Sequence, residues 1–322
     1  MIRNIFFAVL APVLALCCLP SFSQNLPEPA SPDATYKFAE KDGQELFLDD
    51  YLPSAASEKA LDVQNKPTVI FVFGGGFKSG SRDGDLCRRW FSMLMDKGYR
   101  VMSIDYRLGL RDADKAGLGQ VKQIHNAVEM AVDDLVSAPE YLIAHAGELM
   151  IDPDNLVISG SSAGAMTVVQ ADWELCNRAG STDRLPKGFR YAGVISFAGA
   201  ILSDSGMISY RNEPDPTLFL HGTADKIVNY NQIRVPFIRY AFLGSSRIAK
   251  LFAKNGYNYN ILRYKGHGHD IANSMIETFP EQIRFLEANV EGGQRRVVDA
   301  LLDDPAVLVR DGAQNRKQLY AD

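Results

Sequence analysis

The sequence is poor in cysteine: four in 322 residues, and two of them, Cys17 and Cys18, sit in the opening apolar segment. A disulfide framework of the kind that staples small secreted domains is therefore absent. There is no excess of cations either. Lys plus Arg is 34 against 39 for Asp plus Glu, a net charge of -5, which removes the electrostatic case for a nucleic-acid partner. No apolar run is long enough to span a bilayer. The longest, Ile5 to Leu19, has about 15 residues where roughly 20 are needed. Fixed-period repeats are missing, and no proline- or serine-rich linker divides residues 34–290. With 46% apolar residues the chain is not disordered, and its length allows one large core without a metal or disulfide.

What is present begins with an address. Arg3, the apolar run and the small-residue pattern Ser21-Phe22-Ser23 resemble a cleavable secretory signal, with Gln24 as the mature start. The expected location is periplasmic or secreted. Lipid attachment at Cys17 or Cys18 is disfavoured, because Leu16 and Cys17 stand where that processing prefers a small residue. Removal of residues 1–23 leaves Cys87 and Cys176 in separate helical stretches, expected as two free thiols rather than a bridge.

After a mobile lead-in at 24–33, strand-like and helix-like segments alternate. A hairpin turns at Asp42-Gly43, and apolar strands follow at 68–73, 101–106, 155–159, 191–197, 217–221 and 260–264. Helical segments at 85–97, 120–147, 163–178, 232–255 and 273–289 separate them. The pattern predicts one α/β domain over 34–290, with a mostly parallel eight-stranded sheet and helices on both faces. Residues 291–322 form a C-terminal extension, whose Val297, Val298, Leu301 and Leu302 fit either a docking helix or a partly ordered appendage.

Chemistry-bearing residues gather at strand ends. Strand 155–159 runs into Gly160-Ser161-Ser162-Ala163-Gly164 and then a helical pattern, so G-x-S-x-G stands in its strand-turn-helix context. Such a sharp turn strains the central residue and exposes its side chain at a helix start, which makes Ser162 the candidate nucleophile. Strand 68–73 ends in Gly74-Gly75-Gly76-Phe77, a loop whose amides can approach a substrate oxygen. A dinucleotide site is disfavoured there, because Ser79 replaces the third glycine of that fingerprint.

Strand 217–221 opens into Gly222-Thr223-Ala224-Asp225, and strand 260–264 into Gly266-His267-Gly268-His269-Asp270. The order Ser162, Asp225, His269 is that of a serine-acid-histidine triad. His269 is preferred to His267 as base because it follows the second glycine of its loop, and Asp204 is a rival acid. The H-G-H-D run lacks the helical spacing and glutamate of a zinc protease, so no metal is expected.

Taken together, FGGGF at 73–77, SIDYRL at 103–108, IDPDNLVISGSSAGA at 151–165, LHGTADKIV at 220–228 and GHGHD at 266–270 resemble the α/β-hydrolase carboxylesterases. The likeness is to the hormone-sensitive-lipase-like and feruloyl/acetyl-esterase-like groups, and it spans roughly residues 65–290. It implies Ser162, Asp225 and His269 as triad and the amides of Gly75, Gly76 and Ala163 as oxyanion hole, with no cofactor. It also implies that Asp105-Tyr106-Arg107 supports the site. Phe73 departs from the family's usual histidine and bears on how the glycine loop is anchored. The expected activity is hydrolysis of small-molecule or carbohydrate esters, with Phe77, Trp90, Tyr106 and loop 198–213 as pocket contributors. An exopeptidase on the same triad, or a scaffold that has lost its chemistry, are the alternatives.

Overall fold

The computed structural model describes residues 26–53, 66–111, 119–234 and 239–303. The expected leader, its cleavage point after Ser23 and the last part of the tail lie outside them. The chain begins with the hairpin β1 (Ala34–Lys41) and β2 (Gln44–Tyr51). A tight hairpin turn needs left-handed backbone at its central residues, and Asp42 and Gly43 supply φ of 52° and 75°. There follow β3 (Thr68–Val72), α1 (Asp85–Asp96), β4 (Arg100–Ile104), α2 (Gly119–Ala144), α3 (Ala146–Leu149), β5 (Leu156–Ser161), α4 (Ala163–Asn177) and β6 (Gly193–Phe197). Next come β7 (Ala200–Ser203), β8 (Thr217–Gly222), β9 (Gln232–Arg234), β10 (Ala241–Gly244) and α5 (Ser245–Asn255). The described chain closes with β11 (Tyr259–Tyr264), α6 (Phe279–Phe285) and β12 (Val298–Leu302).

Nine strands form one sheet in the order β1-β2-β4-β3-β5-β6-β8-β11-β12. β2 is antiparallel to both neighbours, and every other pair is parallel. β3, β5, β6 and β8 are buried at every position, as strands covered on both faces are. From β3 the chain crosses to β4 on one side, whereas from β5 it moves through β6, β8 and β11 on the other. Strand order thus reverses between β3 and β5, and open α/β sheets bind ligands in the crevice at the carboxyl ends of such strands. The glycine loop after β3 and Ser162 after β5 meet there.

Pairing corrects several expectations. The sheet has nine strands rather than eight, because residues 298–302 join it as β12 instead of forming a helix. Asn260–Tyr264 pairs in parallel register with Val298–Leu302, and Arg263 holds Asp299 at 2.6 and 2.8 Å. A five-residue apolar piece fits either period, and the open edge of β11 decides between them. Among the described residues of segment 232–255, helix begins at Ser245, since β9 and β10 pair with β7 as a small antiparallel sheet. Segment 273–289 is helical only from Phe279. Pro280 lacks an N–H and is tolerated in the first turn, so the helix starts there. A wider π-helical turn at 286–291 then finishes the segment. Cys87 and Cys176 are both free thiols.

Candidate active site

At the end of β5 the chain turns within one residue. Ser162 has φ 52° and ψ −112°, a strained backbone for a side chain with a Cβ, and α4 begins at the next residue. Two contacts hold the turn: the Ser162 amide donates to the Phe197 carbonyl (2.9 Å), and Ser161 Oγ donates to the Ala272 carbonyl (2.6 Å). α4 also lies against β3 so closely that a Cβ on Gly164 would overlap the Val72 carbonyl. The side chain of Ser162 is thereby presented at the helix start, where unpaired amides and the dipole favour negative charge.

Ser162 Oγ lies 2.7 Å from His269 Nε2, and His269 Nδ1 lies 2.7 Å from Asp225 Oδ2. The carboxylate can only accept, so Nδ1 carries the ring proton and Nε2 is left as the acceptor for the serine hydroxyl. Asp225 follows β8, and its Oδ1 accepts the amides of Ile227 (2.8 Å) and Val228 (3.1 Å). Its Oδ2 has a second imidazole 3.2 Å away, that of His221. Burial pushes this carboxyl up, but hydrogen bonds from His221 and His269 outweigh burial and hold it well below the usual range.

The glycine loop after β3 is built from backbone that side chains resist. Gly75 and Gly76 have φ of 112° and 63°, and a Cβ on Gly75 would overlap the Ser79 carbonyl. The Gly75 carbonyl accepts the amides of Lys78 and Ser79, both at 3.1 Å. Among the described residues no acceptor takes the N–H of Gly75, Gly76 or Ala163. Phe73 stacks on Tyr106 with ring centres 4.4 Å apart, and the Tyr106 hydroxyl donates to the Phe73 carbonyl (3.1 Å). Tyr106 therefore supplies an anchor that the histidine-to-phenylalanine departure had put in question.

The structure brings Ser162, His269 and Asp225 together and leaves the rivals apart. His267 Nδ1 pairs with Asp270 (2.6 Å), and Asp204 is exposed beyond β7. Trp90 is a core residue, not a pocket wall: it is fully buried and donates from Nε1 to Gln282 Oε1 (2.7 Å). Asp105 binds Arg82 (2.7 Å), and Arg107 donates from its backbone to Asp134 (2.7 Å), so this segment supports the loops around the site. Sequence inspection overlooked the contact of His221 with Asp225 and the clamp from Ser161 to Ala272. The only sequence signal for the first is a histidine four residues before the acid.

Comparisons with known proteins agree with this architecture. The family model described as BD-FAE matches residues 48–201. An esterase of Myzus persicae is 32% identical over 129 residues, covering 39% of this chain and 22% of that protein. A non-reducing polyketide synthase of Aspergillus novofumigatus is 35% identical over 80 residues, 25% of this chain and 3% of that protein. The chain thus spans only a minor part of these curated relatives. Among solved structures, the native esterase 2 of Thermogutta terrifontis superposes with a TM-score of 0.59 at 22% identity, covering 84% of this chain and 94% of that one. The same esterase has also been solved with propionate bound, with a TM-score of 0.53 at 20% identity over 81% of this chain and 96% of that one.

Proposed function

We propose that this α/β-hydrolase is a serine carboxylesterase that works through an acyl-enzyme on Ser162. The observation that supports this most is the unbroken line from Ser162 Oγ through His269 to Asp225, both links at 2.7 Å. Ser162 Oγ attacks the ester carbonyl carbon while His269 Nε2 takes its proton. Asp225 keeps the ring oriented and stabilises its charged form. The carbonyl oxygen becomes an oxyanion and accepts from the amides of Gly75, Gly76 and Ala163, which have no other acceptor among the described residues. The C–O bond to the alcohol breaks, and His269 returns the proton to the departing oxygen. Water then attacks the acyl-enzyme with His269 again as base, releasing the carboxylic acid and the serine hydroxyl.

The substrate proposed is a short acyl group on a carbohydrate or small alcohol. The propionate held by Thermogutta terrifontis esterase 2 and the likeness to acetyl-esterase-like proteins both support the short acyl group. The chain is proposed to act outside the cytoplasm, on the strength of its opening segment; sequencing the N-terminus of the exported protein is expected to give Gln24. Turnover of p-nitrophenyl acetate and decanoate, acetylated xylan and aminoacyl-p-nitroanilides tests the class. The expected result is hydrolysis of acetate over decanoate, lost in Ser162→Ala. Anilide turnover without ester turnover would favour an exopeptidase, and no turnover of any substrate a scaffold.

A further inference from the structure

His221 is the penultimate residue of β8, four residues before the acid, and its side chain is fully buried. Its Nε2 lies 2.9 Å from the Val228 carbonyl oxygen and 3.2 Å from Asp225 Oδ2. Both neighbours only accept, so Nε2 carries a proton and is shared between them. On the other side of the ring, Nδ1 lies 2.8 Å from Ser245 Oγ, and that hydroxyl is 3.3 Å from the Gly199 carbonyl. Asp225 is therefore held by two amides on Oδ1 and by His269 on Oδ2, with the His221 imidazole as a fourth N–H group 3.2 Å from Oδ2. The ester-cleaving steps above account for His269 but give His221 no part.

We infer that His221 is a positioning residue for the reaction, holding the Asp225 carboxylate in the rotamer that faces His269, while Ser245 fixes the His221 ring. This rests on Ser162, His269 and Asp225 being the triad. Without the His221 donor, Oδ2 keeps one partner and the carboxylate can swing away from His269 Nδ1. The ring proton of His269 then loses the acceptor that keeps it off Nε2. The same contacts tie the acid to the small sheet, because Gly199 precedes β7 and Ser245 follows β10. A distortion of that sheet reaches the base through Ser245, His221 and Asp225 in turn.

The test is a double-mutant cycle on p-nitrophenyl acetate hydrolysis. His221→Leu is expected to lower kcat about 10- to 100-fold, as for loss of a hydrogen bond to a charged group, with KM within about twofold. His221→Gln, which can carry an N–H toward the same oxygen, is expected to recover most of the rate. In an Asp225→Asn background His221→Leu is expected to add less than about threefold, because coupled residues are not additive. Equal losses in both backgrounds, or a loss confined to KM, would overturn the inference. Should His221→Leu fail to fold, Ser245→Ala carries the same cycle with an expected loss of roughly threefold, and additivity there is equally fatal. Fluorophosphonate labelling separates the two layers. A wild-type protein that labels no faster than His221→Leu overturns the role of His221 alone. A wild-type protein that does not label overturns the triad.

Discussion

β8 carries a buried carboxylate at each end, and the two are handled in opposite ways. Asp225, after the strand, receives four N–H donors, two of them imidazoles, and is held ionised. Asp215, before it, pairs with Arg190 (2.6 Å) and the Tyr191 amide (3.0 Å), and its own amide lies 3.3 Å from Asp172 Oδ1. Among the described residues Asp172 forms no ion pair of its own. Burial, and then the charge of Asp215, push its carboxyl well above the ordinary range. Burial disfavours charge at both ends, so the number and polarity of donors decides the state. One end yields an oriented anion beside a base; the other yields a structural knot in which the Asp172 carboxyl is pushed toward its neutral form.

That contrast can be broken from either end, and the largest effect is expected at the first. Asp225→Asn removes the acceptor for His269 Nδ1–H and is expected to lower kcat about 10⁴-fold. Asp172→Asn, replacing a carboxyl that burial pushes toward its neutral form, is expected to leave kcat within about threefold. Steady-state kinetics of the two variants checks this, and comparable losses would erase the distinction. At the knot, Arg190→Met leaves Asp215 without its cation. The arginine side chain is 43% exposed, so the cost is expected nearer 2 kcal/mol than the 3–5 of a fully buried pair. Urea unfolding at pH 7 measures it.

A fourth buried carboxyl sharpens the comparison because, among the described residues, it has neither cation nor imidazole as a partner. Burial pushes Glu174 up to about 7, with only a hydrogen bond from Gln170 opposing. An unfolded glutamate titrates near 4.3, so between roughly pH 4.5 and 7 the native state holds the extra proton. Stability is then expected to fall as pH rises through that window, by up to about 1.4 kcal/mol per unit, and Glu174→Gln to flatten the slope. Asp225 runs the other way. Its lowered carboxyl contributes stability above about pH 4 that is lost only as pH falls below that value. A far smaller loss of rate than that of Asp225→Asn belongs to the loop anchor. Tyr106→Phe keeps the ring stack but loses the bond to the Phe73 carbonyl, and a fall in kcat of about fivefold is expected.

Much of the site was legible because its residues follow strand ends. Ser162 lies in a glycine-flanked turn, the loop glycines follow β3, and Asp225 and His269 follow β8 and β11. Strand ends on one edge of a parallel sheet converge whatever their separation in sequence. The partner of each side chain was not legible. His267 and His269 are two residues apart in similar surroundings, yet one turns to Asp270 and the other to Ser162 and Asp225. The grip of His221 on Asp225 depends on Ser245, 24 residues away, and that of Ser161 on Ala272, 111 away. β12, β9 and β10 escaped for a related reason. They have five, three and four residues, too few for a period to be read, and only pairing with distant strands defines them.

The most direct test of the account is covalent capture of the nucleophile. Purified protein is treated with a fluorophosphonate, digested, and the modified peptide sequenced by mass spectrometry. The account predicts a single adduct on Ser162, absent from Ser162→Ala and slowed by orders of magnitude in His269→Ala but not in His267→Ala. An adduct on Ser161 or elsewhere, or equal labelling after His269→Ala, would contradict it.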